Sequence, residues 1–253
     1  MIAEERRKEI IKIINEENAV KVKDLSKAFK VTDETIRSDL NKLEEENLLK
    51  RTHGGAIAID TNSELSFHIR ENKYKKEKKE IAKRACQFIN PGDTIFMDAS
   101  TTCLYLAKEL IDFEQNINII TNSNRIVYEL SKNENISVIS TGGLLRRSSL
   151  SFVGPLANKN INNYYANKAF LSCKGISVER GATEINELET ETKSNMVKRA
   201  NEVIILANHT AFNEIGLSQF ATLDEIDKII TDSSIEEEII QKFGQLNKEI
   251  IKR

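Results

Sequence analysis

Arg37, Asn41 and Lys42 lie four and five residues apart on a run that also holds Thr32, Thr35 and Ser38. Long basic and amide side chains at helical spacing can reach base edges or phosphates, and the hydroxyls of Thr35 and Ser38 can donate to phosphate oxygens. Lys50, Arg51 and His53 follow closely, with charge suited to a phosphate backbone. A second set is scattered through the rest of the chain. It comprises Asp98-Ala99-Ser100-Thr101-Thr102, Thr121-Asn122-Ser123-Asn124, Thr141-Gly142-Gly143, Ser172-Cys173-Lys174-Gly175, Asn208-His209-Thr210 and Thr231-Asp232. Hydroxyls, amides and glycine backbone of this kind bind an anionic, polyhydroxylated small molecule. Arg146 and Arg147, just past the glycine pair, can add charge.

The first set needs a helix to present it. Ile36, Leu40 and Leu43 recur at four and three residues, which stacks them on one face and turns Arg37, Ser38, Asn41 and Lys42 outward. Thr32 is the expected N-cap. Behind Leu48 and Leu49 the basic residues read as a strand, a tight turn at Gly54-Gly55 and a return strand from Ala56 to Ile59. Upstream, Ile10, Ile11, Ile13 and Ile14 mark one helix, and Val22, Leu25, Ala28 and Phe29 a second. Two helices, a turn and a third helix with a basic hairpin make a winged helix-turn-helix. Asp33, Glu34, Asp39 and Glu44 to Glu46 suit the other reading of this segment, a protein-binding module with a solvated helix.

The second set follows short apolar runs: Thr94 to Met97, Ile117 to Ile120, Ile136 to Ile139, Ala169 to Leu171, Val203 to Leu206, and Ile229-Ile230. Helical patterns alternate with them, and a last helix is expected from Ser234, with Glu237 completing a capping box. Such alternation predicts parallel strands with crossover helices in a three-layer α/β domain. The six polar stretches then converge on the carboxyl edge, where open α/β sheets bind ligands. Ser100, Thr101 and Thr102 fall at a helix N-terminus, favourable for phosphate. The polar stretch 60–72 reads as a linker between domains at 1–59 and 73–253. The lysine-rich run Lys73 to Lys79 reads as the solvated start of a helix.

The 253 residues are 40% hydrophobic and 30% charged, as in a soluble globular protein. A net charge of −2 means that nucleic-acid contact rests on a local arrangement of charge. No apolar run reaches the roughly 18 residues of a membrane helix, and no secretory signal is recognised, so the cytoplasm is the expected location. Cys86, Cys103 and Cys173 lack a paired spacing and read as reduced, mostly buried thiols. His53, His68 and His209 share no metal spacing, and neither a metal nor another cofactor is expected.

The run from Val22 to Ala56 closely resembles the DNA-binding domain of the DeoR family of bacterial sugar-responsive transcription regulators. Thr35-Ile36-Arg37, Asp39-Leu40, Leu43-Glu44 and Arg51-x-His53-Gly54-Gly55-Ala56 fall in register. The remainder resembles the family's effector-sensing domain in Phe67 with Arg70, Glu77-Lys78 with Ile81-Ala82, Asp98 with Thr101-Thr102, Thr121-Asn122-Ser123, Gly142-Gly143 with Arg146, Gly154, and Ile229 to Asp232. The resemblance implies a larger Rossmann-like α/β domain akin to ribose-phosphate isomerase, glucosamine-phosphate deaminase and CoA transferases. It implies a repressor of a carbohydrate operon, acting as a homo-oligomer (dimer or tetramer) on double-stranded operator DNA, with a phosphorylated sugar as effector. Two departures stand out. Ser38 replaces a second arginine, and Asn208 to Asn213 reads NHTAFN where the family has Asp, a small polar pair, then Lys-Phe-Gly. Ala211 therefore supplies no charge, which leaves Arg146, Lys174 or Lys193 to anchor the effector, or points to a less anionic compound. His209 is either a hydrogen-bond partner or an ordinary loop histidine. The competing expectation is an isomerase or deaminase of the same fold, for which Asp98, Asp232 and Glu184 are the candidate bases.

Overall fold

The structure is a computed structural model that describes residues 2–17, 19–46, 48–57 and 65–252. The chain divides into two compact units, Met1–Arg70 and Glu71–Arg253.

In the first unit, α1 (Ala3–Glu17), β1 (Ala19–Lys21), α2 (Val22–Phe29) and α3 (Asp33–Glu45) precede a wing of β2 (Lys50–Thr52) and β3 (Gly55–Ile57). The apolar stripes meet in one core of Ile10, Ile14, Val22, Leu25, Ile36, Leu40, Leu43, Leu49 and Ala56. Each such burial contributes about 1.5 to 3 kcal/mol before chain entropy is counted. Lys30 ends α2 in the left-handed conformation, φ 54°. Thr32 then caps α3 as expected, its Oγ1 accepting from Thr35 N at 3.2 Å.

The wing differs from expectation in two ways. Thr52 pairs with Gly55, so the tight turn is His53-Gly54 and Gly55 belongs to the strand. Gly55 answers to close approach: β1 pairs antiparallel with β3, and a Cβ at Gly55 would lie 1.8 Å from the Val20 carbonyl oxygen. The return strand is described through Ile57, and Ala58 and Ile59 lie outside the described residues. So do residues 60–64 of the expected linker, whose end, Phe67–Asn72, is instead helix α4. Phe67 is buried, and Arg70 Nε donates to the Leu65 carbonyl at 3.0 Å.

The second unit continues with α5 (Lys75–Cys86), β4 (Thr94–Met97), α6 (Thr101–Glu109), β5 (Ile117–Thr121), α7 (Asn124–Leu130) and β6 (Ile136–Ser140). A hairpin of β7 (Leu144–Arg146) and β8 (Ser151–Val153) leads to α8 (Pro155–Ile161) and β9 (Ala166–Ser172). Next come β10 (Gly175–Ser177), β11 (Gly181–Glu184), α9 (Glu187–Lys198), β12 (Ala200–Leu206), β13 (Ser218–Ala221), β14 (Lys228–Ile230), α10 (Glu237–Gly244) and β15 (Glu249–Ile251). Seven strands form one parallel sheet in the order β15-β14-β12-β9-β4-β5-β6. The expected strands are all present in it. One face carries Phe96, Ile120, Leu171, Val203, Ile205 and Ile229, packed with Ile161 of α8 and Met196 and Val197 of α9. Alternate residues such as Ile95, Met97, Phe170, Ile204 and Leu206 are buried on the opposite face. There α5, α6 and α7 pack side by side. A small antiparallel sheet, β10-β11-β13, lies beside α9.

Two expectations about helices are corrected here. α10 begins at Glu237 after an N-cap at Glu236, because Ser234 N is bound to Asp232 Oδ1 at 3.0 Å, leaving no capping box. Nor is the lysine run wholly solvated: Lys78 is buried, and its Nζ donates to the Lys73 carbonyl at 2.7 Å.

Candidate functional sites

On α3 the outward residues are those expected. Arg37, Ser38, Asn41 and Lys42 are exposed, as are Thr32, Lys50 and His53. Asp39 departs from a surface reading of the helix acids. It is buried, accepting from Arg6 Nε at 2.5 Å, with Arg7 at 3.4 Å, so α1 and α3 are tied through an ion pair. Glu44 is also engaged, its Oε1 accepting from Arg51 N at 2.8 Å. Asp39 is thereby taken off the outward face of the helix, and Glu44 is held against the wing. Arg51 is only half-exposed and donates from its guanidinium to Asn41 Oδ1. It braces the wing against the helix and orients Asn41.

In the second unit the chain enters the sheet at β4, runs out to β6, returns to β9 beside β4 and proceeds to β15. The topological switch point is thus between β4 and β9, the place where such sheets bind ligands. There Lys193 of α9 reaches down with its Nζ 3.0 Å from Asp98 Oδ2, 2.6 Å from Glu184 Oε2 and 2.7 Å from the Ser172 carbonyl. Asp98 Oδ1 accepts from Ser100 N at 3.0 Å and Oδ2 from Ser172 N at 2.9 Å. Burial pushes the Asp98 carboxyl up, but Lys193 and these donors outweigh it and hold the group below its usual range. Lys193 is raised above its ordinary value, the attraction of Asp98 and Glu184 exceeding the cost of burial. Two of the ammonium's donors are given to Ser172 and Glu184, and Asp98 completes the site as an ion pair.

Ser100 caps α6, its Oγ accepting from Cys103 N at 3.0 Å, which leaves Thr101 and Thr102 in the first turn, buried. Ser123 caps α7 in the same way, bonding Ile126 N at 3.2 Å. Asn122 donates from Nδ2 to the Phe152 carbonyl at 3.2 Å, and Phe152 N donates back to Asn122 O at 2.7 Å, so the β7–β8 hairpin is stitched to the edge of β5. Gly142 and Gly143 adopt φ 58° and 119°, and a Cβ on Gly143 would lie 2.8 Å from the Val153 carbonyl oxygen. Arg146 turns to Glu189 Oε1 at 3.3 Å and Ser149 Oγ at 3.1 Å. Lys174 is exposed. His209 Nδ1 meets buried Asp232 Oδ1 at 2.9 Å, and its ring lies edge-on to Tyr74 at 5.8 Å. The three carboxylates that suit an enzymatic base are accordingly all engaged, two by Lys193 and one by His209.

Glu189, Ser149 and Ser151 belong to this arrangement without having been singled out by sequence. Their signal was weak: a glutamate in a charged helix and two serines in a hairpin gain a common purpose only when the hairpin folds back. Burial pushes the Cys86 and Cys173 thiols up to about 12 and Cys103 well above the ordinary thiol value. Among the described residues no three His, Cys, Asp or Glu gather as a metal would require, and no helix is long and apolar enough to cross a membrane.

Comparison with known proteins agrees with both halves. Residues 6–62 match the DeoR-like helix-turn-helix domain and residues 73–233 the DeoR C terminal sensor domain. The chain is 44% identical to the uncharacterized HTH-type transcriptional regulator YulB of Bacillus subtilis, over 93% of this chain and 91% of that one. It is 35% identical to the L-fucose operon activator of Escherichia coli K12, over 90% and 94%. It is 31% identical to the putative aga operon transcriptional repressor of Escherichia coli O157:H7, over 98% and 93%. Among solved structures, ribose 5-phosphate isomerase A from Methanocaldococcus jannaschii overlaps 53% of each chain at 17% identity, with a TM-score of 0.39. With both of its domains matched in order, this chain belongs to the DeoR family of transcription regulators.

Proposed function

We propose that the chain is a DNA-binding transcription regulator of a carbohydrate operon whose hold on its operator is set by a sugar-derived effector at the carboxyl edge of the parallel sheet. The observation that carries this reading is the sorting of charge on α3: Arg37, Ser38, Asn41 and Lys42 face solvent, while Asp39 is drawn inward by Arg6 and Arg7. Arg37, Asn41 and Lys42 contact base edges, and Thr32, Thr35, Ser38, Lys50 and His53 hold phosphates, with Arg51 steadying Asn41. The effector is a phosphorylated sugar whose phosphate is taken by the first turn of α6, at Ser100, Thr101 and Thr102, where Lys193 already offsets the charge of Asp98. Binding there favours one of two conformations that differ in DNA affinity. The protein works in the cytoplasm as a homo-oligomer that sets paired recognition helices about one turn of DNA apart. It represses where its operator overlaps the promoter. The relatives named above include an activator and a putative repressor, each similar to this chain over at least 90% of its length, so operator position sets the direction of control.

The test is binding to operator and to random duplex, followed by fluorescence anisotropy. Arg37→Ala is expected to lose about 1 to 3 kcal/mol of discrimination. Arg51→Ala, which frees Asn41 as well as removing a charge, should weaken both duplexes and blur discrimination to a smaller degree. Equal losses on the two duplexes for Arg37→Ala would remove base reading from α3.

A further inference from the structure

Two acceptors on either side of β8, one of them a buried amide oxygen, have bonding capacity that no protein donor fills. Glu189, buried on the first turns of α9, receives three donors on a single oxygen. Ser149 Oγ lies 2.7 Å, Ser151 Oγ 2.5 Å and Arg146 NH1 3.3 Å from Oε1. Oε2 receives none among the described residues. Asn122 is 1% exposed, its Nδ2 is bound to the Phe152 carbonyl, and its Oδ1 is buried with no partner. Ser151 and Phe152 are adjacent in β8, so Glu189 and Asn122 are held against the same short strand. Neither side chain can swing away to find a donor. Asn122 is bonded through both its amide and its backbone to Phe152, and Glu189 is fixed by the Asn186 cap, its N donating to Asn186 Oδ1 at 3.3 Å.

Native proteins rarely leave a buried acceptor unpaired, and Asn122 Oδ1, held against the same strand as a carboxylate oxygen that has no protein donor, points to donors that arrive from outside. We propose that Glu189 Oε2 and Asn122 Oδ1 form a subsite that reads two hydroxyl groups, or a hydroxyl and an amino group, of the effector. This rests on the reading of the carboxyl edge as the effector site. The carboxylate excludes phosphate or carboxylate from the subsite by like-charge repulsion, so the hydroxylated end of the effector lies against β8 and its anionic end elsewhere along the edge. A site built to accept hydrogen bonds discriminates strongly against an analogue that lacks the donor, because a buried acceptor, here Asn122 Oδ1, is then left unpaired.

Calorimetry and thermal shift of the full-length protein decide the matter. The probes are pentose and hexose phosphates, each beside its deoxy counterpart, with inorganic phosphate as the anion alone. In wild type, the sugar phosphate that raises the melting temperature most is expected to bind at least about tenfold more tightly than a deoxy counterpart. Glu189→Gln, which exchanges the free acceptor for a donor, should lose at least about tenfold for the full sugar phosphate and leave the deoxy compound unchanged. The subsite is overturned if hydroxylated and deoxy compounds bind wild type alike, or if Glu189→Gln keeps wild-type affinity. The wild-type comparison stands even where the variant fails to fold. A Thr101→Ala, Thr102→Ala variant separates the levels. Loss of response there with Glu189→Gln intact removes only the subsite, whereas full response in both removes the carboxyl edge as the effector site.

Discussion

In the small unit an anion, Asp39, is buried between two arginines, and in the large unit a cation, Lys193, is buried between two carboxylates. The first cluster has a surplus positive charge, and that surplus is close to water, since the Arg7 side chain is 21% exposed against 5% for Asp39. The second has a surplus negative charge built on a dry pair, Lys193 and Asp98 at 6% and 1%, with Glu184 at 15% as its more accessible member. A face that must meet a polyanion can leave its surplus at the surface. A site that must select among small molecules instead keeps charge dry, where its interactions are strong and position-dependent. The contrast fixes where substitutions should be costly.

The largest effect is expected for Lys193→Met. It strands Asp98 and Glu184 without their cation, and breaking a buried pair in this way costs about 3 to 5 kcal/mol. The pH dependence should also change sign. In wild type the Asp98 carboxyl is held below its usual value, so its contribution is complete above the ordinary aspartate pKa of about 3.9 and is lost as pH falls through the lower folded value. Without Lys193, burial dominates and pushes the carboxyl up, so the folded state binds the extra proton and stability falls as pH rises. Urea midpoints of the large unit across the weakly acid to neutral range would read this directly. A variant whose midpoint did not fall with rising pH would mean that the charge of Asp98 is compensated by something other than Lys193.

Asp39→Asn should be milder. Arg6 is buried but Arg7 reaches solvent, so screening reduces the loss to about 2 kcal/mol, confined to unfolding of the small unit. Operator affinity should fall only as the folded fraction falls. A larger loss of operator affinity at full folding would show that Asp39 positions α3 as well as stabilising it.

The same contrast explains what was readable in the sequence. Continuous apolar runs announced the central strands, because a parallel sheet covered on both faces needs Ile, Val, Leu and Phe at every position. The stripe of Ile36, Leu40 and Leu43 announced α3 for the same reason, one face being dry. By contrast, β1 and β15 are three-residue strands whose pairing partners lie far along the chain, so nothing local marks them. Asp39 and Glu189 were illegible as buried groups because a charged residue on a charged helix looks solvated until its partners, Arg6 or Ser149 and Ser151, are placed by the fold. The outward residues of α3 and the polar loops that follow the strands could therefore be placed in advance, and the networks that hold them could not. Ser234 failed as a cap for a related reason: a capping box matches spacing alone, and Asp232 competes for the Ser234 N–H.

The smallest effect tests the contrast between wet and dry with one chemical group. Thr32 and Ser100 make the same bond, a hydroxyl accepting the N–H three residues on at the start of a helix, at 3.2 Å and 3.0 Å. Thr32 is exposed, so in Thr32→Ala water can reach the freed Thr35 N–H, and the loss should be at most about 1 kcal/mol. Ser100 is 9% exposed and Cys103 is fully buried, so in Ser100→Ala the freed N–H has no solvent to turn to and the loss should be about 1 to 2 kcal/mol. Thr32→Ser should restore the small unit, since the hydroxyl is all the cap requires. Equal losses by denaturant unfolding for the two alanine variants would mean that water reaches the start of α6 as freely as it reaches α3, and a site at the sheet edge would then lack the dry surroundings on which its selectivity depends.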